Sequence, residues 1–142
     1  MKKLIFFAII SIAGFMSCKK NNVANCSVTM TGIAGTYKLT ALKYQQTSGS
    51  PETDWYTTVV QACKRDDLYV LASDGTFTLQ DAGTVCSPDG NDSGVWTLTG
   101  NDIDMAGYYS GTIQSYDCTT LIFTNTDVLN SGDKVTATFV KQ

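Results

Sequence analysis

Oxygen-bearing side chains concentrate in one stretch of the 142-residue chain, Pro-Asp-Gly-Asn-Asp-Ser-Gly at residues 88–94. Asp89, Asn91 and Ser93, followed by a glycine, match the first half of a calcium-binding loop, D-x-N-x-S-G. The twelfth position of such a loop holds a bidentate glutamate, but here that position is Gly100. We therefore predict a polar hairpin loop at this stretch and no metal site.

Two adjacent carboxylates, Asp66 and Asp67, form the second grouping that could do chemistry. Catalytic carboxylate pairs must converge on one spot, whereas neighbouring side chains on a strand point to opposite faces. We expect this pair to cap a turn or to pair with Lys64 or Arg65. The chain contains no histidine, which excludes Ser-His and Cys-His nucleophiles and removes the commonest metal ligand. We predict no catalytic residues, no cofactor and no enzyme activity.

The N-terminal segment has the layout of an export signal. Lys2 and Lys3 precede an apolar run over residues 4–15. A helix needs about 20 residues to cross a bilayer, so this run is too short. Residues 1–17 are therefore predicted to be a secretory signal peptide that takes no part in the fold.

The end of this segment, Phe15-Met16-Ser17-Cys18, resembles the lipobox of bacterial lipoprotein signals. Ser17 and Cys18 match that pattern, and the two residues before them are looser than usual. The resemblance implies cleavage before Cys18 and attachment of lipid to its thiol, which would anchor the protein to a membrane. The alternative is ordinary secretion with Cys18 as a plain thiol.

Residues 18–33 are polar and lack a clear period, so we predict a lipidated tether with the domain at residues 34–142. Cys26 lies within the tether and could pin part of it to the domain. Several lipoproteins of Bacteroidetes carry acidic residues just after the lipidated cysteine as a surface-export signal. Residues 19–26 contain none. By that resemblance we expect a protein of the cell envelope, on the outer membrane and facing the periplasm.

The four cysteines beyond Cys18 make an even set for an exported domain: Cys26, Cys63, Cys86 and Cys118. Exported domains fold in an oxidising compartment, so we predict two disulfides. Four cysteines allow three pairings, and their spacing does not choose among them.

The charge balance argues against nucleic-acid binding. Removing Lys2 and Lys3 from the ten basic residues leaves eight against thirteen acidic ones, a net charge of −5. The chain has no basic patch larger than a pair such as Lys19–Lys20, and nucleic-acid-binding domains carry one.

From residue 34 onward, apolar and polar residues alternate, which indicates half-buried strands. Asp74-Gly75 between two such runs is a strong hairpin signal, and residues 52–63 could hold one short helix or a lid. Short strands with regular turns favour an all-β fold, a small eight-stranded antiparallel up-and-down barrel. The predicted strands are residues 35–44, 67–72, 75–80, 94–99, 102–106, 108–115, 119–125 and 134–141.

This pattern resembles the small lipocalin-like domains of Bacteroidetes lipoproteins over residues 33–142. Five motifs in order carry the resemblance: Gly35-Thr36-Tyr37, Cys63-Lys64-Arg65-Asp66-Asp67, residues 74–77 (Asp-Gly-Thr-Phe), Cys86, and Gly94-Val95-Trp96 with a Gly-Asn turn at residues 100–101. The resemblance implies a lipocalin-like β-barrel with a disulfide between Cys63 and Cys86. That pairing leaves Cys26 to join Cys118.

The aromatic residues at inward positions are the candidates for a binding site. They are Tyr37, Phe77, Trp96, Phe123 and Phe139. The interior of an eight-stranded barrel is just wide enough either to be filled by side chains or to hold one small ligand. These residues could therefore line a pocket for a small hydrophobic ligand or fill the core. We favour a filled core. We expect Gly107-Tyr108-Tyr109-Ser110-Gly111 to be the binding edge, because aromatic residues are enriched at interfaces.

We therefore expect a non-catalytic envelope lipoprotein that binds a small apolar ligand. The alternative is a protein–protein interaction module, such as an envelope scaffold or an inhibitor, with a solid barrel.

Overall fold

The computed structural model describes residues 26–142, and about half of this part of the chain forms antiparallel sheet. The predicted signal peptide and Cys18 lie outside the described residues. The strands are β1 Gly35–Gln45, β2 Thr53–Asp54, β3 Leu68–Leu71, β4 Thr76–Gln80, β5 Asp92–Thr99, β6 Asp102–Met105, β7 Tyr109–Tyr116, β8 Thr120–Thr126 and β9 Lys134–Lys141.

The helical elements are short: α1 Met30–Ile33, α2 Tyr56–Val59 and a 3-10 turn at Ala62–Lys64. Within residues 26–142, no helix combines the length and apolar character that crossing a bilayer requires.

The sheet closes on itself. Consecutive strands from β3 to β9 pair antiparallel, β1 pairs with β3, and β1 also pairs with β9 along most of its length. Closure removes the exposed edges that an open sheet would present. The predicted all-β, lipocalin-like up-and-down barrel is confirmed, with each of its eight strands found within two residues of its expected ends. The two-residue β2, which pairs with β1 at Lys43 and Tyr44, was not predicted because both its residues are exposed and show no alternation.

A β-bulge between Leu39 and Ala41 changes which side chains of β1 face the core. Strict alternation would place Tyr37, Leu39 and Ala41 inward. The extra residue instead turns Leu42 into the barrel, where it is buried, and leaves Ala41 only partly covered. A bulge inserts one residue against a single partner and so shifts the alternation of everything that follows it.

One end of the barrel is closed by the N-terminal residues. Ile33 is fully buried, and its carbonyl accepts a hydrogen bond from the Tyr37 hydroxyl at 2.5 Å. The Tyr116 hydroxyl donates to the Gly32 carbonyl at 2.7 Å. A disulfide joins Cys26 to Cys118 at the same end. Residues 26–33, part of the segment expected to be a tether, thus pack on the barrel.

The opposite end carries the longer connections. These are residues 46–67 between β1 and β3, 81–91 between β4 and β5, and 127–133 between β8 and β9, and the short turn 106–108 between β6 and β7 lies at the same end. We call this the open end and the other the closed end.

Candidate ligand-binding cavity

A cavity of about 510 Å³ lies at the open end. This volume is within the range of small-molecule sites, about 300–1,000 Å³. Aliphatic and aromatic side chains make up most of its wall. The lining residues are Leu42, Trp55, Val59, Val60, Gln61, Lys64, Asp67, Tyr69, Leu79, Gly107, Tyr108, Tyr109, Ser110, Phe123, Asn125, Val128, Val135 and Ala137.

The five aromatic residues that could line a site or fill the core divide between the two. Phe123 lies in the cavity wall. Tyr37, Phe77, Trp96 and Phe139 are each fully buried in the hydrophobic core, and the indole N–H of Trp96 donates to the Ala72 carbonyl at 2.7 Å. The barrel is therefore filled over part of its length and hollow at the open end.

Four other aromatic side chains complete the rings of the wall: Trp55, Tyr69, Tyr108 and Tyr109. Tyr108 and Tyr109, from the stretch expected to be a binding edge, line the cavity, as does Trp55 from the β1–β3 connection. The Trp55 ring stacks on Tyr44 with centroids 4.2 Å apart. Its backbone N–H donates to the Leu42 carbonyl at 2.8 Å, which ties the connection to β1.

The roof of the cavity is formed by residues 54–64 of the β1–β3 connection, around α2. Asp54 accepts hydrogen bonds from the N–H groups of Tyr56 and Thr57, at 2.8 and 3.3 Å. These bonds satisfy two of the donors that a helix start leaves unpaired. They also hold the pKa of Asp54 below its usual value, with the hydrogen bond from the Thr57 side chain as the largest cause.

Arg65 stabilises this roof through hydrogen bonds to its backbone. Its guanidinium donates to the carbonyls of Val60 and Thr57, at 3.1 and 2.7 Å, and lies 5.7 Å from the centroid of the Tyr56 ring. The Tyr56 hydroxyl donates back to the Arg65 carbonyl. The expected pairing of Arg65 with an aspartate is not formed, because carbonyl groups of the roof occupy its donors.

The roof is linked covalently to the neighbouring β4–β5 connection. A disulfide joins Cys63 to Cys86, the pairing that the family resemblance implies. Buried Asp81 accepts the N–H groups of Cys86 and Gly90, and Asp66 accepts that of Thr84 at 2.8 Å. The open end is therefore a set of loops held by carboxylates and one disulfide.

The β8–β9 connection is organised around a second buried carboxylate, Asp133. Its oxygens accept the N–H groups of Val128, Leu129 and Asn130 at 2.7–2.9 Å, and the Tyr44 hydroxyl at 3.2 Å. Burial alone would raise the pKa of Asp133, but these donors outweigh it and hold the pKa below its usual value.

The floor of the cavity is a cluster of rings. Tyr69 meets Tyr109 edge to face with centroids 5.6 Å apart, and both meet Phe139 at 5.2 Å. Phe123 stacks on Phe139 at 5.6 Å. Burial is the main cause that raises the pKa of both tyrosines, so their hydroxyls stay neutral at pH 7 and remain able to donate hydrogen bonds.

Asp67 is the carboxylate of the cavity wall, and the sequence did not single it out as a ligand contact. It is 2% exposed, and its Oδ1 has no hydrogen-bond partner among residues 26–142. Burial raises the pKa of Asp67, and so do the nearby charges of Asp81 and Asp66. The opposing effects of the Ala82 N–H and the Lys64 ammonium are smaller.

The expected ion pairs of Asp66 and Asp67 with Lys64 or Arg65 are not formed. The alternative, that the two carboxylates cap a turn, fits better, because they accept the backbone N–H groups of Thr84 and Ala82 in the 81–91 connection. The ion pair found among the described residues is Lys43–Glu52, on the surface. Asp67 immediately precedes β3, and its side chain is buried in the barrel interior. The Asp66 side chain lies on the other side of the backbone and accepts a hydrogen bond from Thr84 in the 81–91 connection. The alternation rule did predict that the two carboxylates would diverge.

The oxygen-rich stretch at residues 88–94 uses its side chains internally. Asp89 accepts hydrogen bonds from the backbone and side-chain N–H groups of Asn91, and Asn91 accepts the Asp81 N–H. In the described part of the chain, no group of three or more histidine, cysteine or acidic residues is placed to hold a metal ion.

Comparison with known proteins identifies the family. A family model described as the lipocalin-like domain matches residues 33–131, more than half of the chain. No curated protein and no solved structure matches the chain. The chain therefore belongs to the lipocalin-like domain family, which is generally non-catalytic and whose fold is that of a small-ligand-binding β-barrel.

Proposed function

We propose that this protein holds a small, largely apolar molecule in the cavity at the open end of its barrel. The observation that carries the proposal is the 510 Å³ volume enclosed mainly by apolar and aromatic side chains. Burial of apolar surface stabilises a complex by about 25 cal/mol per Å² removed from water, so a wall of this kind favours an apolar guest.

The rim of the cavity supports the same function. Val59, Tyr108 and Val128 line the cavity and are 59%, 43% and 42% exposed, and Leu129 beside them is 64% exposed. Apolar side chains grouped at the mouth of a cavity are typical of binding sites. The protein–protein alternative assumed a filled barrel, and a cavity of this size does not fit that assumption. Ligand binding is therefore favoured over that alternative.

Native mass spectrometry of protein purified from an exported source without detergent tests for a resident ligand. We expect an extra mass that leaves on denaturation. A polypeptide four protons lighter than the reduced chain would also report the two disulfides.

A neutral fluorescent apolar probe, N-phenyl-1-naphthylamine, tests the location of the site. Val135→Trp fills the cavity from β9, and we expect it to weaken probe binding by about tenfold or more, because the enclosed volume is lost. Val95→Trp is the matched control, since Val95 is 65% exposed and outside the cavity wall. Equal binding by both variants, or no binding by the unaltered protein, would reject the proposed site.

We further propose that the protein has no enzymatic activity. The lipocalin-like family is generally non-catalytic, and a chain with no histidine lacks the commonest general base. Asp67, the carboxylate of the cavity wall, has no second carboxylate beside it in that wall, as two-carboxylate hydrolysis needs.

The cellular setting of the proposal is a lipid anchor at Cys18 in the outer membrane, facing the periplasm. Two disulfides in the barrel support export, because such bonds persist in oxidising compartments. Cys18→Ala should release the protein from the membrane fraction. A variant that stays in that fraction would refute the anchor, and degradation by protease added to intact cells would refute the periplasmic orientation.

A further inference from the structure

The cavity contains one group that an apolar guest would leave unsatisfied. Asp67 lies in the wall, is 2% exposed, and has an Oδ1 with no hydrogen-bond partner among the described residues. An unpaired polar atom in a buried site is unfavourable. Asp133 and Asp81 at the same end accept backbone N–H groups, and the other buried oxygen without a partner among the described residues, Asp66 Oδ1, lies outside the cavity wall. This oxygen is therefore available to a ligand.

The charges near Asp67 are mostly negative. Asp66 and Asp81 are both close enough to raise its pKa, and the Lys64 ammonium opposes them only weakly. Lys64 is an exposed residue, and Arg65 spends its donors on carbonyl groups of the roof. Tyr69 and Tyr109 line the same space and their phenol groups are uncharged, while the Tyr108 hydroxyl donates to Asp92 outside the cavity wall. The cavity wall thus holds one carboxylate, and its one cation, the exposed Lys64, offsets the negative charge only weakly.

Aromatic rings line the same cavity as this carboxylate. Trp55, Tyr69, Tyr108, Tyr109 and Phe123 all line the cavity. The faces of such rings attract cations, most strongly where water is excluded. A carboxylate combined with several rings is a setting that recognises an ammonium group.

We propose that the cavity binds an amphiphilic amine, with its ammonium group on the Asp67 carboxylate and its apolar body against the rings and the aliphatic rim. This inference rests on the proposed function, because it specifies the ligand class of the same cavity. The ammonium supplies both the missing hydrogen-bond donor and the missing counter-charge. A neutral alcohol would supply only the first, and an anionic head group would face the Asp67 carboxylate, with the charges of Asp66 and Asp81 close behind it.

A matched series of probes tests the head group on the unaltered protein. 4-Phenylbutylamine, 4-phenylbutanol and 4-phenylbutyrate share one apolar body and differ in charge. We expect the amine to bind about tenfold or more tightly than either of the others, because hydrogen bonds to a charged partner are roughly twice as strong as neutral ones. Calorimetric titration at pH 7 and low salt measures the three affinities.

Two substitutions then locate the preference. Asp67→Asn keeps the shape and removes the charge, and we expect it to bring the amine and the alcohol within about threefold of each other. Asp66→Asn removes the same charge one residue away, where the side chain contacts the Thr84 N–H outside the cavity wall. This control should keep most of the amine preference. Circular dichroism checks that both variants are folded.

Each outcome decides between the two proposals. An amine preference that depends on Asp67 supports the inference. Equal or tighter binding of the butyrate or the alcohol, or an amine preference unchanged in Asp67→Asn, overturns the ligand class. If none of the series binds but the naphthalene probe does, the amine assignment fails and the cavity function stands. If neither binds, both fail.

Discussion

The two ends of the barrel are packed differently, although each contains tyrosine side chains and one disulfide. At the closed end, Ile33 enters the core, the hydroxyls of Tyr37 and Tyr116 bind backbone carbonyls, and the Cys26–Cys118 disulfide fastens the segment. At the open end, Tyr108 and Tyr109 line a cavity, and the Cys63–Cys86 disulfide fastens its roof. The closed end is packed to the centre, whereas the open end encloses a space.

Stability and binding therefore depend on different parts of this small barrel. The fully buried aromatic side chains Tyr37, Trp96 and Phe139 belong to the packed core and supply apolar burial. The loops of the open end are held instead by hydrogen bonds to Asp54, Asp81 and Asp133. We expect changes at the closed end to lower stability without changing ligand affinity, and changes at the open end to alter both.

The largest expected effect is loss of the closed-end disulfide. Cys26 and Cys118 are 92 residues apart, and a crosslink over such a loop contributes about 4.5 kcal/mol in the chain-entropy treatment. Cys26→Ser with Cys118→Ser should lower the free energy of unfolding by about that amount, measured by urea denaturation. Probe binding by the folded fraction should be unchanged. A fall in affinity would show that the two ends are coupled.

The second effect is loss of the open-end disulfide. Cys63 and Cys86 are 23 residues apart, which corresponds to about 3 kcal/mol. Cys63→Ser with Cys86→Ser should cost less stability than the first pair but should weaken probe binding, because the roof loses its link to the 81–91 connection. If this pair leaves the probe affinity intact, the roof does not depend on the disulfide for its shape.

A third, smaller effect concerns Asp133. Its folded-state pKa is held below the usual value, so its contribution to stability is present above the unfolded-state pKa and is lost as the pH falls through the folded one. Asp133→Asn should be less stable than the unaltered protein at pH 7, and the difference should shrink toward pH 3. Urea denaturation across this range measures it. A constant difference would mean that the charge is not what orders the loop.

Asp67 should show the opposite sign. Its folded-state pKa is raised by burial and by Asp81 and Asp66, so its contribution is fully present below the unfolded-state pKa and is lost as the pH rises through the folded one. Without ligand, Asp67→Asn should therefore be more stable than the unaltered protein at pH 7 and nearly equal to it at pH 3. Thermal unfolding at the two pH values checks this. A destabilised variant at pH 7 would indicate that the carboxylate has a partner in solution.

The smallest effect is expected at the surface ion pair of Lys43 and Glu52. The two groups are 3.1 Å apart, with side chains 55% and 37% exposed. Exposed pairs of this kind contribute about 0–1 kcal/mol. Glu52→Gln should change the free energy of unfolding by less than about 1 kcal/mol and should leave probe binding unchanged. A larger loss would show that the pair helps to position the roof.

Much of the fold could be predicted from local patterns. Alternation of side chains marked the eight barrel strands, and Asp74-Gly75 marked a hairpin in which Gly75 has a φ of +91° and Asp74 accepts the Thr76 N–H. Such signals are local, because the pleat of a strand and the dihedral angles of a turn involve only neighbouring residues. The cavity was less predictable, and of the five residues expected to line it only Phe123 does.

The sequence by itself thus determined the strand order, the hairpins and, through the family motifs, the disulfide pairing. Only the tertiary structure decided which half of the barrel is filled, that the bulge at Leu39–Ala41 carries Leu42 into the cavity wall, and that Asp67 is buried there. These features depend on how residues far apart in the chain share the barrel interior. Alternation states which side chains point inward, but the space left between them is set by all the strands together.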